Sequence, residues 1–403
     1  MKKEIITVGI IEFDFHADNL QELIEMFHLN YKSAYLKIDL VIKKDVFEII
    51  KQSLTQYKNV NTHVYENELT HNQCLIRSQT IIKQCDVLFI NTIAKNVKAF
   101  TRLKHKNIIL RVHNSNKQFA PFNHIDWTVN WENMKLLAKF FLKEVVLNNY
   151  FGSLKKINRN VKYFAFSDYE MLEYAIKHYN VVTLDNSIYI PLKYYRIEKQ
   201  PISKEVKPFL NISIIGRIDD ETRDINLLTE CLTKISKHSL QKGVTVKFIG
   251  TGRKDAMRRL ELLLSKLSNS MLKFEYVYEN VSQEIIINFI ENSDLIISPL
   301  KINCKVGVFL EIYGKTKVSG NFSDIAITPQ PVFLPADYID NWSNEKHENA
   351  NYINGNELVQ KVLKCINDNK YLELLQEKAI AEAQRRYGSK TILEQLSKIT
   401  LYG

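Results

Sequence analysis

Short apolar runs alternate with longer segments of helical periodicity through the first half of the chain. The apolar runs have the length of buried strands, and the segments between them repeat apolar positions every three or four residues. The runs cover residues 5–11, 36–42, 60–65, 86–91 and 107–112, and the helical segments cover residues 18–29, 45–57 and 69–84. This alternation predicts a doubly wound, mostly parallel β-sheet with helices on both faces.

The second half of the chain repeats this alternation after a polar stretch. Residues 195–209 are polar and contain Pro201 and Pro208, a composition typical of a linker. The boundaries that we predict are an N-terminal domain over residues 1–195, a linker over 196–209, a second α/β domain over 210–380 and a terminal helix over 381–403. Two α/β domains are therefore expected.

One amphipathic helix, predicted over residues 131–149, carries two distinct stripes. Its apolar positions recur at helical spacing and predict a buried face: Met134, Leu137, Phe141 and Val145. Its basic positions form a second stripe: Lys135, Lys139 and Lys143. The basic stripe is either a solvated face or, beside the aromatic pairs at residues 140–141 and 150–151, a patch that binds an anionic membrane surface.

Composition and charge restrict the class of protein. The chain has 403 residues, of which 45% are hydrophobic and 25% charged, and no apolar run approaches the roughly 18 residues of a membrane span. Acidic residues interrupt the N-terminal apolar run, so we interpret it as a first strand and not as a signal peptide. Five scattered cysteines without a Cys-x-x-Cys pair indicate reduced thiols in a cytoplasmic protein.

The net charge of +10 predicts an anionic partner. Nucleic acid, a phospholipid surface and a nucleotide-diphosphate ligand all satisfy this requirement. No nucleic-acid-binding motif is present, so we do not expect a nucleic-acid partner. A Gly-x-Gly-x-x-Gly dinucleotide fingerprint is also missing.

The richest candidate chemistry lies in residues 293–320. A buried strand over 295–297 ends at Ser298-Pro299, a loop of small and basic residues follows, and Glu311 is expected to enter a helix before the Gly314-Lys315 turn. Ligands of open α/β sheets bind at the carboxyl edge of the strands, so this arrangement predicts a site there. Taken alone, Glu311 could equally be a solvated helix residue.

Other polar residues follow predicted strands. His113 follows the strand at 107–112, and His16 follows the first strand. In the second domain Arg217 follows a strand that ends at Gly216, and the Gly250-Thr-Gly252 turn lies between a strand and a helix, where backbone amides can bind an anion. Each of these residues, taken in isolation, could be an ordinary surface or loop residue.

Together these motifs resemble the donor-binding segment of the retaining GT-B glycosyltransferases, the family 4 or group 1 type. Pro299 corresponds to the strand-end proline of that pattern, Leu310-Glu311 to its Leu-Glu pair and Gly314-Lys315 to its turn. The family has a further glutamate eight positions before the second one, where this chain has Asn303. The resemblance is specific over residues 211–335 and loose over the N-terminal half.

The resemblance implies a set of roles. Glu311 would bind the donor ribose, and Arg217, with Arg223 near the family's lysine, would bind the diphosphate. The remaining donor-side positions that it implies are Gly250, Gly252, Asn303 and Lys315. His113 would lie near the reacting sugar as the catalytic residue, and His16 would lie on the acceptor side.

The resemblance also implies a fold and an activity. The fold would be two Rossmann-like doubly wound domains facing across a cleft, with a C-terminal helix crossing back. The activity would be hexosyl-type transfer from a nucleotide-diphosphate sugar to a glycan or lipid-linked acceptor in surface polysaccharide synthesis, without a cofactor. It would be independent of metal ions, because no Asp-x-Asp motif stands out. The protein would be cytoplasmic and peripheral on the inner face of the membrane.

One alternative function remains open from the residues. Because Asn303 replaces the first glutamate, the chain could be a non-catalytic protein that binds nucleotide-sugars or polyanions on the same scaffold. The stereochemistry of transfer, retaining or inverting, also stays open.

Overall fold

The structure is a computed structural model that describes residues 5–14, 16–31, 35–195, 208–277, 283–320, 329–339 and 351–400. Most of the predicted linker, residues 196–207, lies outside the described residues. Within the described ranges the chain forms two parallel sheets and one small antiparallel hairpin. The prediction of two doubly wound α/β domains is confirmed.

The N-terminal domain has a seven-stranded parallel sheet in the order β3-β2-β1-β4-β5-β6-β7. Its strands are β1 (Ile6–Glu12), β2 (Leu36–Lys43), β3 (Val60–Tyr65), β4 (Val87–Ile90), β5 (Ile108–Val112), β6 (Tyr163–Phe166) and β7 (Ser187–Tyr189). Strands β4 to β6 are buried at every position because helices cover both faces of the sheet. The strand order reverses beside β1, as in nucleotide-binding sheets.

Helices of the N-terminal domain connect these strands. They are α1 (Ala17–Asn30), α2 (Lys44–Leu54), α3 (His71–Arg77), α4 (Gln79–Gln84), α5 (Val97–Phe100), α6 (Ser115–Phe119), α7 (Trp131–Phe140), α8 (Tyr150–Asn160) and α9 (Tyr169–His178). A π-helical segment, Phe141–Leu147, continues α7. Leu137, Phe141 and Val145 pack on the core as predicted, whereas Met134 is 52% exposed, so its predicted burial is wrong.

The C-terminal domain has a six-stranded parallel sheet in the order β10-β9-β8-β11-β14-β15. The strands are β8 (Phe209–Ile215), β9 (Gly243–Ile249), β10 (Leu272–Val277), β11 (Leu295–Ile297), β14 (Val332–Pro335) and β15 (Asn351–Tyr352). The helices are α10 (Ile225–Ile235), α11 (Lys254–Ser265), α12 (Gln283–Glu291), α13 (Gly355–Asn367), α14 (Asn369–Tyr387) and α15 (Ser389–Thr400). One apolar core lies mainly between this sheet, α10 and α13.

The last helix returns to the N-terminal domain. Ile392, Leu396 and Ile399 of α15 lie in the apolar core formed by α1 and the sheet of that domain. The backbone N–H of Tyr195 donates to the carbonyl of Tyr387 at 2.8 Å, beside the start of this helix. The predicted crossing of the terminal helix is confirmed.

Residues 303–312 form an antiparallel hairpin where we expected the entry to a helix. Its strands are β12 (Asn303–Val306) and β13 (Phe309–Ile312). Gly307 has φ +64° at the first position of the two-residue turn, a conformation that favours glycine and suits a tight hairpin. Burial in β13 is greatest at Phe309 and Glu311, with exposed Leu310 between them, as on a strand. The predicted helix at Glu311 is therefore wrong.

Among the helices that the structure describes, none has the length and hydropathy needed to cross a lipid bilayer.

Candidate functional site

A cavity of about 430 Å³ lies between the two domains, where strands of both sheets end. Its N-terminal wall includes His16, His113 and Lys193, which follow β1, β5 and β7. Its C-terminal wall includes Tyr313 and Lys317, which follow the hairpin. Carboxyl ends of parallel strands are where open α/β sheets bind ligands, so this cleft is the candidate site.

His113 follows the carboxyl end of β5, and one of its ring nitrogens already makes a hydrogen bond. Its Nε2 atom is 2.8 Å from the carbonyl oxygen of Asn91, which can only accept a hydrogen bond. Nε2 therefore carries the proton, and Nδ1 of the neutral ring is left as an acceptor. Burial, and then electrostatic repulsion by Arg111 and by any proton on His16, hold the pKa of His113 well below its usual value.

His16 stacks on His113, with ring centroids 4.3 Å apart and planes at 13°. It occupies the cap position of α1, and the side-chain amide of Asn19 lies 3.2 Å from its Nδ1. Burial lowers the pKa of His16 to about 4, with smaller effects from Arg111 and Lys317. Both histidines are consequently neutral at pH 7, and the structure brings the two predicted residues together.

Glu12 and Arg111 are charged residues of this region that sequence reasoning missed. Glu12 ends β1, is fully buried and accepts hydrogen bonds from Asn91 Nδ2 at 2.7 Å and Thr92 Oγ1 at 2.6 Å. Burial is the main reason that the pKa of Glu12 is raised. Each of the two is a charged residue in an otherwise apolar strand, and this pattern could have identified both as candidate site residues.

Arg111 lies on β5, two positions before His113, so the two side chains leave the backbone on the same side. Its side chain is 2% exposed and lies 5.4 Å from the centre of the Phe89 ring. None of its guanidinium nitrogens has a hydrogen-bond partner among the residues that the structure describes. Burial lowers the pKa of Arg111 to about 9, opposed by the charge of Glu12. The group remains a cation at neutral pH.

Glu311 is hydrogen-bonded to the N-terminal domain. Its carboxylate accepts backbone N–H groups at the start of α6, from Lys117 at 2.8 Å and Asn116 at 3.3 Å. The side chain is 1% exposed, and this burial raises its pKa to about 7. In this conformation the carboxylate holds the two domains together, so the ribose role that the resemblance implies would require these bonds to be exchanged.

The hairpin as a whole is bound to the N-terminal domain. Its Phe309 ring lies 5.3 Å from Phe140 and 5.9 Å from Tyr150, inside the N-terminal core. At the rim, Lys305 Nζ pairs with Asp126 Oδ2 at 2.7 Å. Glu311 lies on this hairpin, whereas Arg217 follows β8.

Asn303 and Lys315 belong to the same hairpin region. Asn303 is exposed on β12 opposite Ile312, and Lys315 lies in the turn after β13, where its backbone N–H donates to the carbonyl of Ile312 at 3.1 Å. Their predicted donor roles stay predictions.

Arg217 and Arg223 both lie near the end of β8 but differ in environment. Arg217 is 65% exposed and pairs with Asp219, Nε to Oδ2 at 2.8 Å. Arg223 is buried, and its guanidinium donates to Ser298 Oγ at 2.9 Å and to the carbonyl of Ile215 at 3.2 Å. Burial lowers the pKa of Arg223. Arg217 is thus available to a ligand, whereas Arg223 holds the ends of two strands together.

Gly250 and Gly252 allow the loops after β8 and β9 to touch. A Cβ atom on Gly250 would lie 2.3 Å from the carbonyl oxygen of Gly216, and its φ of +140° also excludes most side chains. A Cβ atom on Gly252 would lie 2.4 Å from the carbonyl oxygen of Ile218. The structure therefore groups the two glycines with Arg217 at the carboxyl edge of the second sheet.

Two lysines of the cleft were not predicted. Lys317 is half-buried, and its Nζ donates to Asn114 Oδ1 at 3.1 Å across the domain boundary. Burial lowers the pKa of Lys317, opposed by Cys304 and Glu311. Lys193 is 4% exposed and lies on the opposite wall. No motif marks either residue, because only the folded chain places them together.

In the described part of the chain, no group of three or more His, Cys, Asp or Glu residues is placed to hold a metal ion.

Comparison with known proteins identifies the fold. No protein-family model and no curated protein matches the sequence. Among solved structures, the chain is similar to Anabaena HepE in complex with UDP, with a TM-score of 0.61 and 13% identity over 99% of this chain and 100% of that one. It is also similar to a glycosyltransferase from Rickettsia africae, with a TM-score of 0.60 and 12% identity over 98% and 97% of the two chains.

A third similar structure is WaaG, a glycosyltransferase involved in lipopolysaccharide biosynthesis. The TM-score is 0.53 and the identity 12%, over 98% of this chain and 100% of that one. At these identities the likeness concerns the fold, and it spans both domains. The resemblance drawn from the sequence is confirmed at that level: the chain has the GT-B fold of these glycosyltransferases.

Proposed function

We propose that this protein is a glycosyltransferase that moves a sugar from a nucleoside-diphosphate sugar to a glycan or lipid-linked acceptor. The observation that carries the proposal is the cleft between the carboxyl edges of the two sheets, lined by His16, His113 and Lys317. HepE, which is similar in fold over both domains, was crystallised with UDP and with UDP-glucose. A hexose as the transferred sugar, and surface polysaccharide as the product, are the finer form of this proposal.

The donor diphosphate would lie against the edge of the C-terminal sheet. Arg217 is exposed there, and the backbone around Gly250 and Gly252 opens towards α11. A guanidinium and backbone N–H groups are strong ligands for phosphate oxygens, and they could neutralise the leaving group without a metal ion. Glu311 would act indirectly, by fixing α6 to the hairpin that precedes Lys317.

His113 would lie beside the reacting sugar. Its Nδ1 is left as an acceptor, and the ring is held by Asn91 and by stacking on His16. An acceptor nitrogen held in a cleft can bind a sugar hydroxyl or take its proton. This role of His113 is compatible with both retaining and inverting transfer, because it requires only a hydrogen bond and does not make the histidine a nucleophile.

A membrane-facing surface would bring the enzyme to a lipid-linked acceptor. We define the apolar patch as the exposed residues Trp127, Val129, Trp131, Met134, Leu142, Val146 and Leu147. Lys135 and Lys143 are exposed along the same segment, and Lys135 Nζ lies 4.7 Å from the centre of the Trp131 ring. Apolar and basic side chains on one surface suit an anionic leaflet, which supports a peripheral location on the inner face of the membrane.

Binding of nucleoside diphosphates tests the donor site. Arg217→Ala removes one charged hydrogen-bond partner, so we expect UDP affinity to fall about ten- to a hundredfold while thermal stability stays unchanged. Arg223→Ala is the matched comparison: it leaves buried acceptors unpaired, so we expect it to lower stability by about 1–3 kcal/mol. Calorimetry and thermal unfolding of both variants measure these effects.

Release of UDP from UDP-sugars separates the enzyme from a non-catalytic binding protein. A glycosyltransferase should release UDP from UDP-sugars, faster when a suitable acceptor is added. Binding of UDP-sugars without any release, across a panel of donors and acceptors, would favour the non-catalytic alternative that Asn303 left open. Failure of all nucleoside diphosphates to bind would contradict both the glycosyltransferase and the nucleotide-sugar-binding protein, and would leave only the binding of polyanions.

A further inference from the structure

Glu12 makes a buried set of hydrogen bonds where neighbouring strands of the first sheet end. Its side chain is fully buried, and its Oε1 atom accepts the backbone N–H of Asp14 at 2.8 Å. Its Oε2 atom accepts from Asn91 Nδ2 at 2.7 Å and from Thr92 Oγ1 at 2.6 Å. A buried carboxylate is costly unless donors satisfy it, and here three donors from the loops after β1 and β4 do so.

These hydrogen bonds continue from Glu12 to His113. Asn91 and Thr92 follow β4, which lies between β1 and β5 in the sheet. The backbone carbonyl of Asn91 accepts the Nε2–H of His113 at 2.8 Å, and Thr92 Oγ1 lies 3.4 Å from the same nitrogen. Asn91 and Thr92 therefore bind Glu12 with their side chains and also contact the ring of His113.

The proton positions in this set of bonds follow from the chemistry of its members. The carbonyl of Asn91 can only accept, so Nε2 of His113 carries a proton and cannot accept one from Thr92. The hydroxyl of Thr92 therefore donates to Glu12, and the form of Glu12 that accepts all three bonds is the ionised carboxylate. Burial raises the pKa of Glu12, and the bonds from Thr92, Asp14 and Asn91 oppose this rise. The carboxylate thus decides in which direction the Thr92 hydroxyl donates.

We propose that Glu12 is a positioning residue, which acts through Asn91 and Thr92 to hold the ring of His113 with its proton on Nε2 and with Nδ1 as the acceptor. The proposal rests on the proposed function for its part in sugar transfer and deepens it, because it names a residue on which the role of His113 depends. Without the carboxylate, the Thr92 hydroxyl would turn and donate to Nε2, and the ring proton would move to Nδ1. Nδ1 would then be a donor and could no longer take the proton of a sugar hydroxyl.

The tautomer of His113 tests this proposal in the full-length protein. Long-range proton–nitrogen NMR spectra of protein labelled at histidine distinguish the two tautomers, and His113→Asn identifies the signals of this ring. We expect the Nε2–H form to dominate in wild type. In Glu12→Met, which removes the carboxylate and keeps the length of the side chain, the ratio of Nδ1–H to Nε2–H should rise about tenfold, the effect of one hydrogen bond.

Two outcomes of this measurement would overturn the proposal. The first is a predominance of the Nδ1–H form in wild type. The second is an unchanged ratio in the folded variants. Glu12→Gln serves if Glu12→Met does not fold, because its amide has one acceptor oxygen for the three donors that the carboxylate satisfies.

Further variants separate positioning from general disruption. Combining Glu12→Met with Thr92→Val should return the ratio to that of wild type, because no hydroxyl remains to donate to Nε2. A ratio that stays shifted in this double variant would overturn the proposal. Glu25→Met is the matched control, at a buried glutamate of α1 that accepts from Tyr194 Oη at 3.2 Å, and it should leave the ratio of wild type unchanged.

Turnover links the tautomer to the transfer reaction. Glu12→Met should lower turnover about tenfold while UDP affinity stays within about twofold of wild type, because the proposed diphosphate ligands lie on the other domain. An equal loss of UDP affinity would indicate damage to the whole cleft and would overturn the proposal. Absence of any transfer by wild type would contradict the proposed function instead, and the NMR ratio would still decide the role of Glu12.

Discussion

Two residue pairs of this protein show how burial and not residue type sets chemical behaviour. His16 and His113 are stacked and hold a low pKa, while Arg217 and Arg223, six positions apart, are respectively exposed and buried. The sequence identified all four as candidates because each lies near a predicted strand end. It could not rank them, because exposure depends on which loops meet across the cleft.

His113 is expected to act in the chemical step. His113→Ala removes the acceptor Nδ1 from the cleft but leaves the proposed diphosphate ligands in place, so turnover should fall about ten- to a hundredfold or more while UDP affinity changes little. Steady-state kinetics and calorimetry on the same preparation measure both quantities. His238→Ala, an exposed histidine of the C-terminal domain, is the control and should behave as wild type. Near-normal turnover in His113→Ala would leave the histidine a structural role only.

Glu311 should make stability depend on pH. Its pKa in the folded chain is about 7, above the ordinary 4.5 of a glutamate, so the folded state binds the proton more tightly than the unfolded state. This contribution to stability is fully present below about pH 4.5 and is lost as the pH rises through 7, with an upper bound of about 3 kcal/mol.

Glu311→Gln provides the comparison that isolates this effect. The amide does not titrate. Between pH 5 and pH 8 the unfolding free energy of wild type should therefore fall relative to that of Glu311→Gln. Chemical denaturation at both pH values measures it. A difference that does not change with pH would show that the carboxyl titrates normally in the folded chain.

At the scale of elements, the hairpin β12–β13 is where sequence reasoning failed most clearly. The segment Phe309-Leu310-Glu311-Ile312-Tyr313 is short and mixed enough to suit a helix or a strand. The partner that decides between them, the N-terminal core around Tyr150, is distant in sequence. The alternation of apolar strands with helical segments over the whole chain predicted the structure more reliably, and both parallel sheets were predicted from it.

Phe309 should stabilise the contact between the hairpin and the N-terminal domain. Its ring is 3% exposed among Phe140 and Tyr150, so Phe309→Ala should lower the free energy of unfolding by about 3–5 kcal/mol. Leu310→Ala, one position along on the exposed face of the same strand, should cost far less. Denaturant titration of both variants makes the comparison, and equal losses would contradict the packing described here.

At the scale of the whole molecule, the basic stripe and the apolar patch extend along one surface of the N-terminal domain. The spacing of Lys135, Lys139 and Lys143 predicted the stripe. The exposure of Met134 was not predicted from the sequence. Helical periodicity identifies an apolar stripe, whereas the neighbouring helices decide how far that stripe is covered. The patch therefore became visible only in the folded chain.

Binding to vesicles tests the role of this surface. We expect co-sedimentation with anionic vesicles at low salt, weaker binding as salt rises, and little binding to zwitterionic vesicles. A triple variant, Lys135→Gln, Lys139→Gln and Lys143→Gln, should lose most of the binding. The matched control removes three exposed lysines elsewhere, Lys237→Gln, Lys266→Gln and Lys370→Gln, and should retain it. No sedimentation of wild type at low salt would contradict the membrane assignment.

The shared core has a consequence for the order in which the protein can fold during synthesis. Val308, Phe309 and the α15 residues Ile392 and Leu396 complete the apolar interior of the N-terminal domain. The ribosome makes them long after residue 195, so the first domain emerges with two sides of its interior still uncovered. Domains usually fold one after another as they leave the ribosome. Here the first domain must wait for the second, and a fragment ending at residue 195 should be prone to aggregate.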